Sequence, residues 1–350
     1  MSRNFILEAR EIYNLLQDDE SKDIFLKQLM FHITKDYRYI FDMVESHVKD
    51  YHRTFSWNEY LQLAKVKTET NKLFIYGAGG EGRALKSILE MHNVPVVGFV
   101  DRNYKRFSNE GVISPEEFIN AYKNGGVYVS IGSEMYFKEI YDYLLSCGVR
   151  DEDILGSAAL TKQQYFDKAL ISYNDDEIFV DCGSLDLQTC ENFVDNCSKK
   201  IKTIYAFEPD EENIKICKEK RIAKNLEVEI LPYGVWSSDG ELCFKAVGGG
   251  TSKVDSEGNG KIEVRSIDSL LVDQPISFIK MDIEGAEQEA LKGAEQVIMK
   301  YKPKLAISVY HKPEDFLSIP KIIHDYVPEY KLYLRHYSIY SVETVLYAIL

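Results

Sequence analysis

No Cys-x-x-Cys pair occurs among the six cysteines of this 350-residue chain, which leaves a zinc ribbon or a thioredoxin-like centre without support. No apolar run reaches the roughly 18 residues that a membrane span needs. The opening stretch, MSRNFILEAREIYNLLQDDE, is charged throughout and lacks the apolar centre of a secretory signal. These absences predict a reduced, cytoplasmic protein with no membrane association. Positive charge is also scarce: 42 Lys and Arg against 56 Asp and Glu give a net charge of −14, which speaks against nucleic acid as a partner. No internal repeat with a period of about 20–50 residues is visible, so a solenoid or propeller is not expected.

What is present is an ordinary globular composition, 45% hydrophobic and 28% charged, with 24 tyrosines and 17 phenylalanines to build a core. The length suits two domains and an extra helical piece. Residues 1–68 read as that helical segment, a docking or dimerising arm through which a homodimer is expected. Within it, Ser56 followed by Glu59 has the spacing of a capping box. Residues 69–160 alternate strand and helix ("KLFIYGAGGEGRALKSILEMHNVPVVGFVD", then "GGVYVSIG"), a small Rossmann-like α/β domain with room for four or five strands. Residues 165–350 begin a second α/β series with "EIFVDCG", "KTIYAFEPD", "LEVEILPYG", "ISFIKMDIEG" and "KLAISVYH". The closing "YKLYLRHYSIYSVETVLYAIL" holds two strands on a short link, which must run antiparallel. The predicted fold is therefore α/β, a parallel sheet with an antiparallel final strand, which resembles the sheet of class I methyltransferases.

Gly77-Ala78-Gly79-Gly80-Glu81-Gly82 fits G-x-G-x-x-G between a strand and a helix. Gly77 permits the tight turn, Gly79 lets backbone approach a pyrophosphate, and Gly82 lets the helix pack on the strand. Asp101 follows Gly82 by 19 residues, at the place of a ribose-binding acid. These four are the candidates for a second nucleotide site. With "GVISPEEF" after the acid, this segment resembles the Rossmann-like N-terminal domain of bacterial sugar N-acetyltransferases, which implies nucleotide-sugar binding.

In "FVDCGSLDLQT", Asp181 ends a strand, Gly183 and Ser184 make a turn, and Thr189 precedes a helix. S-adenosylmethionine requires a close-approach glycine turn and carboxylates for its ammonium and ribose hydroxyls. Asp181, Gly183, Ser184 and Thr189 meet the first requirement. Glu208, 27 residues after Asp181, is placed for the ribose, and Tyr233 and Gly234 for the adenine edge. In "FIKMDIEGAEQEALKGAE" (278–295), Glu284 and Glu287 favour the positive end of the following helix, whereas Asp282 closes the strand itself and faces the cleft.

With these stretches, with "AFEPDEENI", "LAISVYHKPEDFLSIPKII" and "YKLYLRHYS…ETVLYA", residues 165–350 resemble the FkbM family of S-adenosylmethionine-dependent methyltransferases. The likeness implies S-adenosylmethionine as cofactor and a small acceptor, often a sugar or polyketide hydroxyl, with a nucleotide-linked sugar as one form. The family's first motif usually runs Asp-x-Gly-x-x-x-Gly, but position 187 here is leucine; the later glycine is expected mainly to ease helix packing. His311, at the end of "KLAISVYH", is the expected base, since an ordinary pKa near 6.5 suits one working at neutral pH. Asp282 is the second catalytic candidate, as base or as orienter of His311, and counts also among the cofactor-binding residues. No metal is assigned, although Asp282, Glu284 and Glu287 carry the oxygens that Mg²⁺ would take. Arg335 and His336 offer positive charge for a phosphate on the acceptor, and a surface salt bridge accounts for them equally well. The glycine-rich stretch 246–261 reads first as a plain long hairpin turn; as a lid it would bring Thr251 and Ser252 to cofactor or substrate. Competing readings are an NAD-dependent sugar-nucleotide oxidoreductase, opposed by the lack of Tyr-x-x-x-Lys after the first glycine turn, and a non-catalytic nucleotide-sugar-binding protein.

Overall fold

Short apolar runs bounded by glycine and acids become strands in a computed structural model that describes residues 3–107, 111–160, 163–245, 253–254, 258 and 260–350. The chain divides into two units: Met1–His32 with Lys162–His336 and Val342–Leu350, and Ile33–Thr161 with Tyr337–Ser341. Four helices, Arg3–Leu15, Asp19–Thr34, Arg38–His47 and Trp57–Thr68, occupy the first 68 residues and are shared between the units. The last of them does begin after Ser56, but without the capping box. The Ser56 hydroxyl makes no cap bond and instead donates to Glu45.

The smaller unit holds four parallel strands: β1 (Lys72–Tyr76), β2 (Gly98–Val100), β3 (Val127–Ile131) and β4 (Ile154–Leu155), in the order β2-β1-β3-β4. Val129, Ile131, Phe118 and Leu144 are buried at its core. The capping box of this unit lies within "GVISPEEF", where Ser114 and Glu117 exchange bonds ahead of helix Pro115–Lys123.

The larger unit contains β5 (Glu177–Cys182), β6 (Ile201–Phe207), β7 (Val228–Leu231), β8 (Gly234–Val235), β9 (Gly240–Lys245), β10 (Lys253–Val254), β11 (Gly260–Arg265), β12 (Phe278–Met281), β13 (Lys304–Ser308), β14 (Lys331–His336) and β15 (Thr344–Ile349). Seven of these form one sheet in the order β14-β15-β13-β12-β5-β6-β7. All neighbours run parallel except at β15, which is antiparallel to both β13 and β14. This is the class I methyltransferase sheet with its reversed final strand, as the sequence predicts. β8 to β11 form a separate small sheet, in which β9 lies antiparallel between β10 and β11 and β8 runs parallel to β11.

Every residue of β5 and β12 is buried, so the centre of the sheet is covered on both faces. Phe166, Phe179, Phe193 and Phe278 pack there, with Phe179 stacked on Phe193 at 4.3 Å between ring centroids. Each such ring contributes about 1.5–3 kcal/mol by leaving water. At the β14 edge, residues 16–21 cover part of the strand: Gln17 N donates to Leu332 O at 3.1 Å, and Leu334 N donates to Ser21 Oγ at 2.9 Å. That use of the N-terminal segment blunts an otherwise open sheet edge.

Candidate active site

Four adjacent parallel strands, β13, β12, β5 and β6, end at the same edge of the sheet, where open α/β folds hold ligands. After β5 comes the Gly183–Leu187 turn. Gly183 has φ +86°, and a Cβ there would lie 2.1 Å from the Asp282 carbonyl oxygen. Glycine is thus demanded by the contact of two loops of this chain. The turn is pinned to the end of β6: Gly183 N and Ser184 N both donate to Phe207 O at 3.1 Å. Leu187, buried, caps helix Gln188–Asn196 in the left-handed conformation, φ +61°. The family's second glycine therefore answers a backbone demand here as well as a packing one. Leucine meets that demand at about 1–2 kcal/mol of strain, offset by burial of its side chain.

Asp181 ends β5 as expected, but its carboxylate is not turned to a ligand. It is fully buried, with Oδ1 3.0 Å from Lys280 Nζ and Oδ2 accepting from Cys190 Sγ at 3.3 Å. Lys280 Nζ also donates to the carbonyls of Gly183 (2.9 Å) and Cys182 (3.3 Å). Burial works against the charged lysine, yet Asp181 and Asp282 outweigh it and hold its pKa above the usual range. Ser184 is buried and donates to Asp181 O, while Thr189 sits half-buried in the first turn of the helix.

Glu208, just past β6, accepts from Leu185 N (2.9 Å), Asp210 N (2.9 Å) and Asn213 Nδ2 (3.3 Å). Burial pushes its pKa up. Tyr233 and Gly234 follow β7; the Arg265 guanidinium lies 5.0 Å from the Tyr233 ring centroid, and Gly234 opens β8.

The second group gathers after β12 and β13. Asp282 Oδ2 accepts from Tyr165 OH at 2.8 Å, and Oδ1 lies 3.2 Å from Tyr310 OH and 3.4 Å from His311 Nε2. Its side chain is 25% exposed, whereas that of His311 is 9% exposed. Burial would raise the Asp282 pKa, but Lys280, His311 and Tyr165 bring it below the carboxylate norm. His311 Nδ1 lies 2.9 Å from Glu287 Oε1, and Nε2 lies 3.8 Å from Glu284 Oε1. Although burial lowers the His311 pKa, Glu287, Asp282 and Glu284 raise it to about 9. The expectation of an ordinary histidine pKa thus fails, because three carboxylates surround the ring. Glu287 also serves the helix start, as predicted: Oε1 accepts from Ile283 N (2.9 Å) and Gly285 N (3.4 Å).

Tyr165, Tyr310 and Glu343 were not singled out from sequence. Glu343 Oε1 accepts from Tyr310 OH at 3.1 Å, and burial with Asp282 nearby lifts its pKa to about 7. Tyr310 adjoins His311 and was open to inference; Glu343 precedes a reversed strand and carried no local signal. Arg335 is not a phosphate anchor, since Asp18 (2.7 Å), Glu20 (3.7 Å) and Asp167 (3.6 Å) surround it. His336 Nδ1 lies 2.8 Å from Thr344 Oγ1. Thr251 and Ser252 lie outside the described residues.

In the smaller unit, Gly77 has φ +108°, and a Cβ on Gly82 would lie 1.9 Å from Gly77 O, so the turn and the helix packing need those glycines. Around Gly79 a Cβ would meet nothing within 4 Å. Asp101 accepts from Ala78 N (2.9 Å) and Asn103 N (2.7 Å), and the half-buried Glu81 accepts from Glu134 N (3.0 Å). Asp101 therefore already takes one amide of the glycine turn. Burial pushes the Glu134 pKa up to about 8. A carboxyl protonated in the fold but ionised when unfolded stabilises the fold at low pH, and that contribution fades as pH rises from the ordinary 4.5 to about 8. The smaller unit should accordingly melt at a higher temperature at pH 5 than at pH 8, and Glu134→Gln should flatten the difference in a calorimetric scan; an unchanged pH slope would dismiss the assignment.

The fold, with its strand order and reversed β15, is that of a class I methyltransferase. Residues 181–335 match the methyltransferase FkbM domain, and residues 69–155 match the C2185-like N-terminal domain. A methyltransferase FkbM from Methylobacillus flagellatus KT is similar over 91% of this chain and 99% of its own, at 19% identity and a TM-score of 0.51. A SAM-dependent methyltransferase from Aquifex aeolicus covers 54% of this chain and 92% of its own, at 17% identity and a TM-score of 0.31. A putative methyltransferase from Streptococcus mutans, solved in complex with SAH, covers 50% and 90%, at 13% identity and a TM-score of 0.29. No curated protein matches the chain. Among the described residues, no helix is long and apolar enough to cross a membrane.

Proposed function

We propose that this protein transfers a methyl group from S-adenosylmethionine to a hydroxyl of a small carbohydrate-like acceptor, with a nucleotide-linked sugar as the form to try first. The observation that carries the reading is the convergence of the Gly183 turn, Glu208, Asp282 and His311 at the carboxyl ends of four neighbouring strands in this particular sheet. The residues fit the cofactor with one change of role. A carboxylate offers about four acceptor positions, so Glu208, with three donors already bound, keeps one for a ribose hydroxyl. Asp181 is neutralised by Lys280, so its charge is not available to the cofactor's ammonium.

When bound, S-adenosylmethionine supplies an electrophilic methyl on a sulfonium, and the transfer is an in-line displacement that asks mainly for positioning. Asp282 is the more exposed of the two catalytic candidates and would take the acceptor's hydroxyl proton. Tyr165 and Tyr310 fix its carboxylate, and His311 lies beside it with Nδ1 2.9 Å from Glu287 Oε1.

Titration calorimetry of the full chain with S-adenosylmethionine, S-adenosylhomocysteine, NAD and a UDP-sugar tests the reading. Both adenosyl ligands should bind with dissociation constants of about 1–100 μM, a free energy of about −8 to −5 kcal/mol. Failure of both at millimolar concentration would end the methyltransferase proposal, and NAD binding in their place would favour the oxidoreductase.

A further inference from the structure

We propose that Asp282, Glu287 and His311 form a binding site for one divalent transition-metal ion. Each residue brings one ligand atom, and these atoms all lie within 4.8 Å of one another. Around an ion with bonds of about 2.1 Å, ligand atoms sit about 3.0 Å apart when adjacent and about 4.2 Å apart when opposite, so a small inward movement completes the site.

Two observations independent of this clustering point to a ligand. The Glu287 side chain is fully buried, and its Oε2 has no hydrogen-bond partner among the described residues although Oε1 has several. An unpaired buried carboxylate oxygen costs about 1–3 kcal/mol or more. The His311 side chain is 9% exposed. Its ring nitrogens lie 2.9 Å and 3.4 Å from carboxylate oxygens, but neither makes an aligned hydrogen bond.

The three ligands come from three separate segments: Asp282 directly after β12, Glu287 at the start of helix Glu287–Lys292, and His311 three residues past β13. Sequence reading grouped Asp282, Glu284 and Glu287, an all-oxygen set suited to Mg²⁺. The fold brings His311 into the set and leaves Glu284 at the rim, its Oε1 3.8 Å from His311 Nε2. An imidazole with two carboxylates favours Mn²⁺, Fe²⁺ or Zn²⁺ over Mg²⁺ and Ca²⁺. The ion's use, and only that, rests on the methyltransferase reading: an acceptor hydroxyl bound to it would lose its proton more readily.

Binding is measured without cofactor or acceptor, so its outcome is separate from that of the function. Chelator-treated, dialysed full-length protein is titrated calorimetrically with MnCl₂ and ZnCl₂, with MgCl₂ and CaCl₂ as comparators. One equivalent of Mn²⁺ or Zn²⁺ should bind at least about tenfold more tightly than Mg²⁺ or Ca²⁺. Glu287→Gln and His311→Ala should each weaken that binding by at least about tenfold. So that a failure of either variant to fold does not decide the matter, the wild-type chain supplies a second readout. Its melting temperature should rise with Mn²⁺ concentration as mass action requires, and Co²⁺ should give visible absorption of a nitrogen-containing shell. Absence of saturable one-equivalent binding in the wild type, or binding unaltered in a folded Glu287→Gln protein, would overturn the site.

Discussion

Lys280→Met should destabilise the protein by about 3–5 kcal/mol, the loss typical of breaking a buried ion pair from one side. Lys280 is 2% exposed and Asp181 is 0% exposed, with 3.0 Å between Nζ and Oδ1. Methionine fills a similar volume, so the loss comes from charge and not from a cavity. Without the ammonium, Asp181 keeps only the Cys190 thiol, and the carbonyls of Cys182 and Gly183 lose a donor. The double substitution Lys280→Met with Asp181→Leu removes both charges and should recover most of the loss, since apolar replacements of whole buried pairs are often neutral or stabilising. Urea unfolding of the four proteins measures the cycle. A single-variant loss below about 1 kcal/mol would show that the pair is not held as described. The same cycle addresses the cofactor, because Asp181 is freed from its partner in Lys280→Met: an adenosyl affinity unchanged in that variant is expected if Asp181 has no ligand of its own.

This pair marks the boundary of what local sequence can convey. The strands were legible because "EIFVDCG", "ISFIKMDIEG" and "KLAISVYH" are apolar runs with polar ends, and β5, β12 and β13 fall within them. The reversed strand was legible because so short a link as residues 337–343 cannot carry a parallel crossover. The partner of Asp181, by contrast, lies 99 residues away across a strand register that pairs Lys280 with Asp181, and nothing in either run announces it. Ser56 shows the converse failure: its spacing predicted the helix start correctly, but a nearby glutamate competed for its hydroxyl. The charge on His311 was illegible for a similar reason. Ordinary histidine behaviour assumes ordinary surroundings, and only the fold brings Glu287, Asp282 and Glu284 around one ring. Leu187 was recognised as a departure from the glycine pattern, but its left-handed backbone could be read only from the structure.

Asp282→Asn should lower methyl transfer by about 10²–10⁴-fold, the range over which a positioned general base acts, while S-adenosylhomocysteine affinity stays within about threefold. Asparagine preserves the shape of the side chain and still accepts from one tyrosine through its oxygen; the other tyrosine hydroxyl can accept from the new amide. The fold should therefore survive, and a melting temperature within a few degrees of the wild type checks that it does. What changes is the ability to take a proton, and with it the negative charge that Lys280 and His311 now balance. Transfer of tritium from labelled S-adenosylmethionine to a panel of sugar and nucleotide-sugar hydroxyls measures the rate, and calorimetry with S-adenosylhomocysteine measures the affinity. A loss of affinity matching the loss of rate would move Asp282 from proton acceptor to cofactor ligand, the other role its position at the end of β12 allows. Rate and affinity both unchanged would remove it from the site altogether, and the search for a base would pass to Glu343, which shares Tyr310 OH with Asp282.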